Sequence, residues 1–105
     1  MSKRLFREAA FIELLLNTNK QQAYALLETA TLKQVLVLIE IFINLHSLKI
    51  PKQTENLLGK RKRLFQPLIS NQVKVNRKQE LIRQHRLQIL DTLRSVRPRL
   101  LELLK

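Results

Sequence analysis

Four consecutive cations, Lys60, Arg61, Lys62 and Arg63, stand between the apolar pairs Leu57-Leu58 and Leu64-Phe65, and Lys74, Arg77, Lys78, Arg83 and Arg94 follow them. Ammonium and guanidinium groups at such density suit one chemistry above others, charge-assisted hydrogen bonding to phosphate oxygens. Residues 51 to 105 hold fourteen Lys/Arg against four acids, net +10, whereas residues 1 to 50 hold six against four, net +2. A formal charge of +12 on 105 residues works against a compact state unless an anionic partner or a well-solvated surface relieves it, and nucleic acid is the commonest such partner.

Other chemistries find no support in the residues. The chain has no Cys, which removes disulfides, thiolate zinc sites and Cys nucleophiles. His46 and His85 each stand alone and read as structural histidines, so no metal site, cofactor or catalytic constellation is expected. Gly59 is the single glycine, too few for a phosphate-cradling loop. These exclusions point to a non-enzymatic, binding function. Of four Phe and one Tyr only Phe65 lies in the basic half, which gives little support to stacking on unpaired bases. Phosphate-backbone contact with duplex DNA, of low sequence specificity, is the expectation.

The elements that must position these cations are helices. One Gly and three Pro leave too little turn chemistry for strands joined by tight hairpins. The first helix spans about Lys3 to Leu16, with Leu5, Phe6, Ala9, Ile12 and Leu16 at helical spacing, and "NTN" at 17 to 19 stops it. A second covers about Lys20 to Glu28. Thr31 and Gln34 have the form of a capping box that opens a third helix reaching about His46. Its centre, "VLVLIEIFI", is β-branched enough to resemble a buried strand, but its length and the capping box favour the central helix of a bundle. Pro51 suits the first turn of a fourth helix, and Pro67 ends it near Gln66. "SNQVKV" is a loop. Asn76 with Gln79 caps a fifth helix, Arg77 to Ser95, and Pro98 separates it from a short apolar turn, "RLLELL". The expected fold is all-α: one domain over 1–105, a compact bundle of about five helices, with 1–50 mainly core-forming and 51–105 strongly basic.

On helix four, Arg61 falls within the stripe of Leu57, Leu58, Leu64, Phe65 and Leu68, while Lys60 and Lys62 flank it and Arg63 points away. Arg61 therefore either lays its stem on the core or pairs with a carboxylate, Glu40 being the first partner to test; otherwise Glu40 occupies a narrow exposed strip. On helix five, Ile82, His85, Ile89, Leu93 and Val96 share one side, and Arg77, Arg83 and Arg94 the other. Arg83 and Arg94 lie three helical turns apart, a spacing that could follow a phosphate backbone.

The order of these features resembles that of the short basic open reading frames of Polinton (Maverick) elements and the related adintoviruses of animals. The resemblance rests on "LLLNTNKQQAYALLETATLKQVLVLIEIFINL" (14–45), "KIPKQ" (49–53), "LLGKRKRLFQPLIS" (57–70) and "VNRKQELI" (75–82). It implies an origin in a virus or mobile element. Many members of that family end in a Gly-containing apolar tail, whereas this chain ends in "RPRLLELLK".

Together these features give a small DNA-associated or virion-core protein. Lys60, Lys62, Arg63, Lys74, Arg77, Lys78, Arg83 and Arg94 would face the phosphates. The alternative is a protein-interaction adaptor, whose all-round apolar third helix is covered by a capsid protein, a host factor or a second copy of the chain. The window Val35 to Ile43, interrupted by Glu40, is no membrane span, and Glu8 and Glu13 spoil the start as a signal peptide. An intracellular protein, nuclear or virion-associated, is expected.

Overall fold

The computed structural model describes residues 3–47, 62–98 and 100, without the side chains of 45–47 and 62. Among the described residues seven helices follow in order: α1 (Lys3–Arg7), α2 (Ala9–Asn17), α3 (Lys20–Glu28), α4 (Leu32–Ser47), α5 (Lys62–Ile69), α6 (Val75–Gln84) and α7 (Arg86–Ser95). Among the described residues there is no strand, so the all-α expectation holds.

The count rises above about five because the expected first and fifth helices each bend at one residue. Glu8 sits at φ −102°, ψ 15° and His85 at φ −117°, ψ 37°. Backbone hydrogen bonds continue through both: the Glu8 amide donates to Arg4, Ile12 to Glu8, His85 to Leu81 and Ile89 to His85. The bends follow a change of neighbours. α1 lies on α4 while α2 lies on α3 and α7; α6 lies on α4, α5 and α3 while α7 lies on α3 and α2. Each long segment serves two differently directed parts of the core, which one straight helix would not reach.

Local signals set several boundaries. The Asn19 side chain accepts from the Gln22 amide at 2.8 Å, so α3 starts and ends where expected. The capping box forms in both directions: the Thr31 amide donates to Gln34 Oε1 at 2.9 Å, and the Gln34 amide to Thr31 Oγ1 at 3.2 Å. It opens α4, whose Val35, Val37, Leu38, Ile39, Ile41 and Phe42 are all buried under α1, α5 and α6. β-Branching does not turn this segment into a strand.

Two boundaries differ from expectation. α5 continues through Pro67 to Ile69 instead of ending near Gln66. Leu64 and Phe65 before the proline and Leu68 after it are buried, and Phe65 packs on Phe42 with ring centroids 4.9 Å apart and planes tilted by 60°. Burial of three such side chains, at about 2 kcal/mol each, exceeds the roughly 3 kcal/mol that an interior proline costs a helix. α6 begins at Val75, with Lys74 in the extended cap position (φ −68°, ψ 149°), and Asn76 is not the cap. Val75 packs against the core, which fixes the start two residues early. Pro51, the expected start of the fourth helix, lies outside the described residues.

Both halves of the chain build one core. Leu5, Ile12, Leu15, Leu27 and Leu38 share one buried cluster with Phe65, Leu68, Ile82, Ile89 and Leu93, so the basic half contributes to the core as well as the front half. Leu100 is buried beyond the turn at Val96, its amide donating to Val96 at 3.1 Å, while 101–105 lie outside the described residues. The radius of gyration is 12.5 Å, close to the roughly 13 Å of a compact domain of this size.

Candidate nucleic-acid interface

The structure sorts the eight cations into three groups. Lys60 and the side chain of Lys62 lie outside the described residues, as does Arg61. Arg63 on α5, Lys74 at the cap of α6 and Arg77 in its first turn are exposed. None of these three forms an ion pair with a described residue. They belong to a single pair of packed helices joined by residues 70–74. Within that loop Ser70 Oγ accepts from the Gln72 amide at 3.2 Å, a local turn that leaves Lys74 at the surface.

Lys78, Arg83 and Arg94 are placed differently from the phosphate-facing expectation. Lys78 is only 6% exposed and shares the inner side of α6 with Val75, Leu81 and Ile82. Its butyl stem lines the core, which takes it out of the contact set. Arg83 Nε donates to the Glu28 carbonyl at 3.0 Å. Arg94 donates to the Leu15 carbonyl through Nε at 3.4 Å and Nη2 at 3.2 Å, and through Nη2 to the Thr18 carbonyl at 2.6 Å. These carbonyls stand at helix C-termini, where the last four oxygens lack intrahelical partners and the helix dipole is negative.

The two arginine sites repeat. Leu15-Leu16-Asn17-Thr18 ends α2 and Leu26-Leu27-Glu28-Thr29 ends α3, and the two stretches are spaced 11 residues apart, as are Arg83 and Arg94. In each, the Thr gives both its amide and its hydroxyl to the carbonyl four residues back: Thr18 to Leu14 at 3.0 and 2.7 Å, Thr29 to Ala25 at 3.1 and 2.9 Å. An arginine from the back half then covers a later carbonyl. The three-turn spacing thus matches two protein helix ends. Around them Gln79 Nε2 donates to the Ala30 carbonyl at 3.0 Å, Arg86 pairs with Glu28 at 3.1 Å, and Arg97 donates to Asn17 Oδ1. Much of the basic charge of α6 and α7 is therefore used inside the protein.

Glu40 is half-buried on α4, with its Oε2 shielded and without a hydrogen-bond partner among the described residues. The pairing expected with Arg61 falls outside the described residues. His85 is half-buried at the bend between α6 and α7, and among the described residues no three His, Asp or Glu gather around a point that could hold a metal ion. No helix of the described residues is long and apolar enough to cross a membrane.

Cations that the sequence reading passed over lie at the other end of the chain. Lys3, Arg4 and Arg7 on α1 are exposed, and so is Phe6. The signal was present in the repetition of Lys-Arg-Leu-Phe at residues 3–6 and 62–65. Comparison with known protein families, curated proteins and solved structures finds no match to the chain.

Proposed function

We propose that the chain is a non-enzymatic, nucleic-acid-associated protein that contacts the phosphate backbone of duplex DNA, in a virion core or as part of a mobile element. The observation that carries this reading is the α5–α6 pair, which holds Arg63, Lys74 and Arg77 in solvent with no acidic partner among the described residues, on a chain of net charge +12. Lys60 and Lys62 adjoin Arg63 in sequence and extend the same basic run. Contacts of this kind release counterions and carry no base information, so binding is weakly sequence-specific and falls steeply with salt. Affinity for a duplex across a salt series tests it: a flat dependence, or no binding at low salt, removes the proposal.

The adaptor alternative drew on an apolar helix in need of external cover. α4 buries Val35, Val37, Leu38, Ile39, Ile41 and Phe42 within the chain and leaves Leu32 and Ile43 exposed, so most of the cover this reading asked for comes from the chain itself. A self-association constant in the micromolar range, measured by sedimentation, would restore it.

A further inference from the structure

Lys-Arg-Leu-Phe occurs twice and is helical both times, yet the two copies pack differently. In α5 both apolar members are buried, Phe65 against Phe42. In α1 Leu5 is 2% exposed while Phe6 is 70% exposed. The local sequence therefore does not dictate where the phenyl goes. Packing of α1 on α4 takes only Leu5, and Phe6 forgoes the burial that an aromatic side chain ordinarily contributes.

The ring stands among cations. Lys3 lies one turn before Phe6 and Arg7 follows it, while Arg4 stands farther round the helix; all three are exposed and form no ion pair with a described residue. α1 itself is held firmly, anchored through Leu5 and joined to α2 by hydrogen bonds through Glu8. The next exposed apolar side chain, Leu14 at 49%, is two turns on and adjoins the exposed Glu13, so the apolar surface does not widen into the acid-free face that a lipid surface requires.

An aromatic ring presented to solvent among free cations matches single-stranded nucleic acid, in which base faces are open and phosphates adjoin them. We infer that Phe6 is a stacking platform for an unpaired base, with Lys3 and Arg7 holding the neighbouring phosphates. α1 is then a second contact, separate from Arg63, Lys74 and Arg77 and selective for single strands, because a duplex hides its base faces. The inference rests on the nucleic-acid reading above and adds a stacking contact to it.

The chain has no Trp, so Phe6→Trp places a single indole reporter at the site. Its emission should be quenched by an oligothymidine of about twelve nucleotides and far less by a duplex of equal length. Phe6→Ala, with folding verified by circular dichroism, should lose roughly 5- to 100-fold in single-strand affinity and keep its duplex affinity. Unchanged single-strand affinity in Phe6→Ala, or equal loss on both ligands, overturns the inference and leaves the duplex proposal standing. Absence of binding to either nucleic acid removes both. A blue shift of Phe6→Trp on phosphatidylserine vesicles without quenching by the oligonucleotide assigns the ring to lipid and likewise overturns it.

Discussion

The Arg94 guanidinium covers the carbonyl of Leu15, 79 residues earlier in the chain, through both Nε and Nη2. Arg94→Ala leaves the Leu15 and Thr18 carbonyls half-buried and unpaired, and the loss of charged hydrogen bonds should cost about 2–3 kcal/mol. A thermal melt should show a fall of roughly 10 °C or more for a domain of this size. Arg94→Lys should recover only part of it, because an ammonium cannot span both carbonyls as the planar fork does. Duplex affinity should change little; a large loss of affinity with unchanged stability would return Arg94 to the phosphate-facing set.

Replacing Arg63, Lys74 and Arg77 by Gln should have the opposite profile. The slope of log affinity against log salt should fall by about 1 per residue, close to 3 in total, while the melting temperature hardly moves. Lys78→Gln supplies the control: its buried stem predicts an effect on stability and little on the slope. Equal slopes for the triple variant and the parent chain would place the anion contact elsewhere.

The Phe42–Phe65 pair ties α4 to α5. Phe65→Ala should cost about 3–5 kcal/mol, through lost burial and the cavity it leaves. That is a large share of the stability of a domain this small, so urea unfolding should shift to a much lower midpoint. Phe65→Leu should cost much less. If the two substitutions cost the same, the ring contact itself carries the stability and not the volume it fills.

Glu40 Oε2 is a shielded acceptor with no hydrogen-bond partner among the described residues. Glu40→Leu should therefore stabilise the fold, by about 1–2 kcal/mol, since an unsatisfied buried polar atom costs that order. Urea unfolding with an unchanged m-value checks it. Destabilisation instead would mean that the carboxylate has a cationic partner, and a double-mutant cycle with Arg61→Met would then show coupling.

What the sequence made readable were relationships between near neighbours. Thr31 and Gln34 are three residues apart, and the capping box expected from that spacing forms almost regardless of the rest of the chain; the Asn19–Gln22 cap is equally local, though "NTN" reads in the sequence only as a stop. The apolar run of α4 likewise marked it as the central helix of the bundle, and Val35, Leu38 and Phe42 are in the core. What escaped depended on partners distant in sequence. Pro67 stays helical because Phe65 reaches Phe42, and Arg83 and Arg94 face helix ends 55 and 79 residues away. A cation meeting a carbonyl dipole looks in the sequence like a cation meeting a phosphate. Of the eight expected contacts, Arg63, Lys74 and Arg77 are exposed and without an ion pair among the described residues, Lys78 is buried, and Arg83 and Arg94 bond helix-end carbonyls, Arg83 while still exposed. Phe6 escaped for the complementary reason, since its exposure depends on how α1 meets α4.

The arginine clasps also set an order of assembly. Most hydrogen bonds of a helical protein are local and can form as soon as the chain is made, which is why such proteins fold fast. Here the ends of α2 and α3 wait for residues 83 and 94, so the first helices emerging in synthesis stay open until nearly the whole chain has followed. Until then the carbonyl ends and the apolar sides of α2 to α4 are uncovered, and the growing chain depends on its last helix to close. A chain stopped short of Arg94 would keep most of its cations and lose the piece that fastens its beginning to its end.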